Sequence, residues 1–184
     1  YGSWESPIAA ASLVVSGHPI GGARFVGANI WWLEARPTEG GRLAVRRHAD
    51  NDEVVDVLPA PWNARTRVHE YGGGAWAAAD EGTLVFAEFS DQRLYRLEPG
   101  SQKPTPLTPA ESGMRFADLI IVAGNTLAIR ETHEDGDLRR DGVMVPLDGS
   151  AATDARAIRS IVSGSRFLAY PRIFGHVFNP ITLY

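Results

Sequence analysis

Asn63-Ala64-Arg65-Thr66-Arg67-Val68-His69-Glu70-Tyr71-Gly72-Gly73-Gly74-Ala75-Trp76 divides the chain, because three adjacent glycines weaken any strand or helix that tries to run through them. On both sides lie short runs rich in β-branched and aromatic residues, each bounded by Gly, Asp, Asn or Pro. Upstream, residues 24–26, 29–35, 42–48 and 53–58 make four strand candidates, with Trp31, Leu33, Val45, Val55 and Val57 as apolar positions. Downstream, residues 75–79, 83–89, 93–98 and 105–108 make four more, with Asp80-Glu81-Gly82 and Ser90-Asp91-Gln92 as turns. A third group follows at 116–123, 126–132, 142–147 and 158–162, with turn signals at Gly124-Asn125, Asp135-Gly136 and Asp148-Gly149. No stretch sustains helical periodicity, so the pattern is all-β. Four short strands repeated at about 45 to 50 residues is the arithmetic of propeller blades. On strand count alone a β-sandwich or mixed β domain is the alternative.

The 184 residues, 44% of them apolar, suffice for one sizeable core or two small ones. The net charge of −4 is dispersed. Arg36, Arg46, Arg47, Arg65 and Arg67 alternate with acids and aromatics, which argues against nucleic acid as partner. No apolar run reaches the roughly 18 to 20 residues that span a bilayer, and residues 1–7 have no signal-peptide pattern, so a soluble, cytoplasmic protein without a membrane partner is expected. With no cysteine, disulfides, thiolate metal sites and cysteine nucleophiles are excluded. The start at Tyr1 without Met reads as truncation or processing.

Several motifs in order carry a resemblance. They are Tyr1-Gly2-Ser3-Trp4-Glu5-Ser6-Pro7-Ile8, Trp32-Leu33-Glu34-Ala35-Arg36-Pro37 with Glu39-Gly40-Gly41-Arg42 behind it, the stretch from Val68 to Gly74, and Phe89-Ser90-Asp91-Gln92-Arg93-Leu94-Tyr95. Over about residues 1–170 the chain resembles the amino-terminal propeller of bacterial dipeptidyl-aminopeptidase and acylaminoacyl-peptidase types of the prolyl oligopeptidase family. The resemblance implies a partial β-propeller of about three four-stranded blades, fewer than the four or more a closed ring requires. It implies the substrate-gating portion of a serine peptidase that hydrolyses short peptides. It also implies two partners, a peptide substrate and the α/β-hydrolase domain of a full-length protein, and no cofactor. That hydrolase domain would carry the Ser-His-Asp triad, its nucleophile on a G-x-S-x-G elbow. No such elbow occurs here. Ser163-Gly164-Ser165-Arg166 lacks the second glycine, so no catalytic residue is expected, and the chain alone should be inactive. An open fragment would leave apolar faces and strand edges unpaired and so be marginally stable or aggregation-prone.

Within the glycine-rich stretch, Gly72, Gly73 and Gly74 have a structural reading as a tight crossing between sheets. Arg67, Glu70 and Tyr71 are the candidate substrate-binding residues, since a carboxylate and a guanidinium facing a tunnel or interface would meet a peptide's charged ends. Family relatives use propeller carboxylates to hold a free amino terminus, which the resemblance extends to Glu70. His69 reads as a structural histidine bonded to a neighbouring loop. His18, His48, His133 and His176 have no metal-ligand spacing, and no metal is expected. The acidic run Glu131-Thr132-His133-Glu134-Asp135-Gly136-Asp137 fails the calcium-loop pattern and reads as a solvated hairpin tip.

Beyond Tyr170-Pro171-Arg172 the chain departs from the family pattern. Residues from about 167 to 184 are similar to a different, uncharacterised bacterial family, so the tail at 171–184 is either joined on from an unrelated sequence or a divergent first strand of a further blade. Two other readings stay open. The chain is a stand-alone propeller-like interaction module if no hydrolase follows in the gene, or the tail carries the identity if its family continues downstream.

Overall fold

The computed structural model describes residues 17–48, 53–110, 113–134 and 136–164. The opening motif at 1–8 and the tail at 171–184 lie outside them. Twelve strands form three separate four-stranded antiparallel sheets, each a simple meander, and the described residues contain no α-helix. The first sheet comprises β1 (Ile20–Val26), β2 (Asn29–Arg36), β3 (Arg42–His48) and β4 (Val54–Asp56). β5 (Trp76–Ala78), β6 (Leu84–Ala87), β7 (Leu94–Leu97) and β8 (Thr105–Pro106) form the second. The third contains β9 (Met114–Val122), β10 (Asn125–Glu134), β11 (Asp137–Pro146) and β12 (Arg159–Ser163).

Strand periodicity fixes how the sheets stack. All four residues of β6, Leu84-Val85-Phe86-Ala87, are buried, so both faces of the second sheet are covered. Alternate side chains point to opposite faces, and they enter two different cores. Leu84 and Phe86 join Trp76, Tyr95 and Leu97 against Val26, Trp31, Val45 and Leu58 of the first unit. Val85 and Ala87 join Ala77 and Leu94 against Phe116, Leu119, Ala128, Val143 and Val145 of the third. The second sheet is thus the middle layer of three. Each of its large apolar side chains contributes about 1.5–3 kcal/mol by leaving water. The far face of the first sheet is ionic instead, with Glu34 held by Arg46 at 3.1 Å and Arg36 at 3.2 Å, and both arginines also on Asp56.

The third sheet departs from expectation at its longest hairpin. Residues 131–134 continue β10 in register with β11, Glu131 opposite Arg140 and Glu134 opposite Asp137; Glu131 and Thr132 are buried, and the solvated tip is confined to Glu134, Gly136 and Asp137 among the described residues. Acidic and basic side chains are poor strand formers alone, but cross-strand ion pairs offset this. Arg130 forks onto Asp141 at 2.9 and 2.7 Å, Arg140 reaches Glu131 at 2.7 Å, and Arg139 pairs with Glu134. At the other extreme, β8 ends at Pro106, two residues short of the expected strand.

Because each sheet is a meander, its inter-strand turns alternate between two ends. The segment leaving β4 comes out where β2 turns into β3 and β6 into β7. Ala64 accepts no strand of its own but donates to the Leu43 carbonyl at 3.0 Å and bridges Glu88, while Arg65 donates to the Ala87 carbonyl at 3.0 Å. The glycine-rich crossing is therefore sewn to the first two sheets at one end of the stack.

Candidate functional site

From Asn63 to Gly74 the crossing is held residue by residue. The Asn63 side-chain oxygen accepts the Leu43 N–H at 2.9 Å, and the Asn63 N–H donates to Glu88 at 2.8 Å. The Arg67 N–H donates to Gln92 Oε1 at 2.8 Å. Val68 is wholly buried against Ala117 and Ile129, which anchors the segment to the third sheet. The next residue, His69, donates its backbone N–H to Glu131 Oε1 at 3.1 Å and places its ring nitrogen Nδ1 3.5 Å from the same oxygen.

Glu131 is 1% exposed, and the His133 ring lies 3.5 Å from its other oxygen. Burial pushes this carboxyl up, but the Arg140 guanidinium and the His69 N–H outweigh burial and hold it below the usual carboxylate range. It stays ionised and clamps the loop. Among the described residues no group of three or more His, Asp or Glu side chains is arranged to hold a metal ion.

After this clamp the chain makes a run of left-handed residues. His69 (φ 56°) and Glu70 (φ 65°) are followed by Gly72, Gly73 and Gly74, all at positive φ. A side chain at such angles costs about 1–2 kcal/mol per residue, and here two non-glycine residues bear it in succession. Gly72 and Gly74 are needed for space as well as angle. A Cβ on Gly72 would lie 2.6 Å from the Thr66 carbonyl oxygen, and one on Gly74 2.5 Å from the Asp118 Cα. Gly73 faces open space.

The strained turn displays its side chains outward. Glu70 is 78% exposed and takes Arg115 Nη1 at 2.8 Å, the same nitrogen that donates to the Arg67 carbonyl at 3.2 Å. Tyr71 is 75% exposed, its ring stacked 5.6 Å from that of His69. Arg67 is exposed, with its guanidinium 4.5 Å from the Phe89 ring centre. All three side chains are exposed: Arg67 stands beside the β6–β7 turn, Glu70 lies at Arg115 of β9, and Tyr71 lies at the His69 ring. A carboxylate, a guanidinium and a phenol so placed can hydrogen-bond a ligand carrying both charges.

Three residues at this end escaped the sequence reading. Arg115, across from Glu70, is separated from it by 45 residues and carried no local signal. Phe89 was visible as a strand residue and as the head of the motif Phe89-Ser90-Asp91-Gln92-Arg93-Leu94-Tyr95, with no sign that it would meet Arg65 and Arg67. Glu131 did carry one: it shares its strand face with Leu127 and Ile129, so alternation places it inward. The acidic neighbours of Glu131 masked that signal.

Solved peptidase structures are similar to this chain. A puromycin-hydrolyzing peptidase of Mycobacterium tuberculosis matches 94% of it at 40% identity with a TM-score of 0.84. A puromycin hydrolase, seen alone and as a mutant complexed with PGG, matches 91% at 40% identity with a TM-score of 0.79. In each case the chain spans 28% of the length of the relative. No family model and no curated protein matches. No helix among the described residues is long and apolar enough to cross a membrane. With that identity carried across nearly all of its own length, the chain is similar to part of peptidases of the prolyl oligopeptidase family.

Proposed function

We propose that the three sheets are successive blades of an incomplete β-propeller, and that the chain is the substrate-gating portion of a peptide-hydrolysing serine peptidase whose triad lies in a separate α/β-hydrolase domain. Support for the fold comes from the middle sheet, whose two faces feed two cores, an arrangement that serial blades share and a two-layer sandwich does not. Support for the activity comes from the peptidase relatives at 40% identity. Dipeptidyl or acylaminoacyl preference belongs to the same proposal.

The observation that carries the site is the strained turn. Two consecutive non-glycine residues in the left-handed region, pinned from below by Glu131, present a carboxylate that is almost fully exposed. Strain of this kind persists where the surroundings over-determine it and is typical of ligand clamps. In this reading Glu70 receives the amino terminus of a peptide, Arg67 a negatively charged group, and Tyr71 packs against the peptide between them. Gly72, Gly73 and Gly74 supply the geometry of the turn.

The test is Glu70→Gln in the full-length peptidase, comparing kcat/KM for peptides with free and acetylated amino termini. Loss of one charge-assisted hydrogen bond, about 1.5–3 kcal/mol, lowers the preference for free amino termini at least tenfold. An unchanged preference removes Glu70 from substrate binding.

A further inference from the structure

Two arginines share one aromatic ring at the rim of the crossing. The guanidinium carbon of Arg65 lies 4.7 Å and that of Arg67 4.5 Å from the centre of the Phe89 ring. Residues two apart on an extended segment project to the same side, which lets both reach it. Their backbones are fixed, Arg65 by its bond to the Ala87 carbonyl and Arg67 by its bond to Gln92, so the ring orients two cations already held in place. Phe89 is itself held, because Gln92 donates to its carbonyl at 2.8 Å.

Neither guanidinium makes an ion pair among the described residues, although both are exposed on a chain of net negative charge. The nearby acids are engaged elsewhere. Glu88 accepts the N–H groups of Asn63 and Ser90, Asp91 accepts the Tyr95 hydroxyl at 2.7 Å, and Glu70 holds Arg115. Two cations on one ring stand within about 10 Å of each other, inside the screening length of dilute salt, and repel. An exposed cation–π contact, roughly 0.5–1 kcal/mol, orients each guanidinium without using its N–H donors. The five N–H donors of each guanidinium are therefore left without a side-chain acceptor among the described residues, on two cations tied to the same ring.

We infer that Arg65 and Arg67, splayed on Phe89, form a receptor for a peptide carboxylate, so that the crossing selects peptides by a negative group as well as by their amino terminus. This rests on the proposal that this end of the stack faces substrate, and it adds the chemical class of the group recognised. Planar guanidiniums match a carboxylate with paired N–H donors, a geometry that a lysine could not replace. The carboxylate is either the free carboxyl terminus of a short peptide or an acidic side chain within it.

The experiment measures binding of four peptides to the intact 184-residue chain by calorimetry: trialanine, its carboxyl-terminal amide, its N-acetyl derivative, and a peptide blocked at both ends with one central aspartate. Trialanine or the aspartate peptide is expected to bind at least about tenfold more tightly than the trialanine amide, less so at high salt. Preference for trialanine assigns the carboxyl terminus, and preference for the aspartate peptide assigns the side chain. The double variant R65Q/R67Q is expected to erase the preference with unchanged circular dichroism, and Phe89→Leu, which keeps both charges, to reduce it severalfold. Equal binding of trialanine, its amide and the aspartate peptide, or a preference that survives R65Q/R67Q, overturns the inference. If acetylation alone weakens binding, the role of Glu70 stands and the arginine receptor falls. If none of the four binds, both fall.

Discussion

Gly74→Ala is expected to loosen the joint between the second and third sheets. The glycine sits at φ 53°, where a side chain costs about 1–2 kcal/mol in any surroundings. The space is also closed. The new Cβ would stand 2.5 Å from the Asp118 Cα and 2.7 Å from its nitrogen, and these are backbone atoms that no rotamer change can move. The Leu119 N–H donates to the Gly74 carbonyl at 3.0 Å, so relief of the clash means stretching that bond and shifting β9 away from β5. Forcing an extra carbon into packed surroundings adds about 1–3 kcal/mol, for a total of about 2–5 kcal/mol. In a chain of this size that lowers the melting temperature by roughly 5–15 °C. The control is Gly40→Ala, at φ 69° with nothing within 4 Å of the added carbon, which bears the conformational cost alone. Urea unfolding followed by tryptophan fluorescence gives both values, with Trp76 buried two residues from the site. If Gly74→Ala is no more destabilising than Gly40→Ala, the close approach of the two sheets at Asp118 is wrong.

The remaining predictions concern the clamp and the turn that it holds. Glu131→Gln leaves Arg140 opposite a neutral group and is expected to cost about 3 kcal/mol, at the low end for a broken buried pair because Arg140 partly reaches water. The folded carboxyl of Glu131 lies below the ordinary glutamate value of about 4.3, so its contribution is fully present above that pH. It is lost as pH falls through the lower, folded value. Stability followed from pH 7 to pH 2 should therefore drop more steeply in the wild-type chain than in Glu131→Gln, and parallel curves would show that the carboxylate is not held as described. Glu70→Gly removes left-handed strain and an exposed ion pair worth little, so the chain should gain about 0.5–1 kcal/mol while losing affinity for amino termini. A net loss of stability, read from urea midpoints, would mean that the turn is not strained at Glu70.

Much of this architecture was legible in the residues alone. Twelve strand candidates in three groups of four, the turns between them and the crossing at Gly72-Gly73-Gly74 all follow from local rules: alternation of apolar side chains, the φ demands of turns, and the intolerance of strands for glycine. The resemblance to the prolyl oligopeptidase family rested on linear motifs, and the chain is 40% identical to a peptidase structure over 94% of its length. These properties depend on neighbours a few positions away, so a linear reading suffices.

What only the tertiary structure decided are the meetings of distant residues. Glu131 reaches the His69 backbone across 62 positions, Arg115 reaches Glu70 across 45, and Gly74 presses on Asp118. Arg65 and Arg67 share a ring only because the β6–β7 turn and the crossing emerge at the same end of the stack. Which faces of the sheets oppose one another determines these contacts, and that choice is made by burial of the middle sheet on both sides. Its energy is a sum over whole surfaces and leaves no mark at any single position.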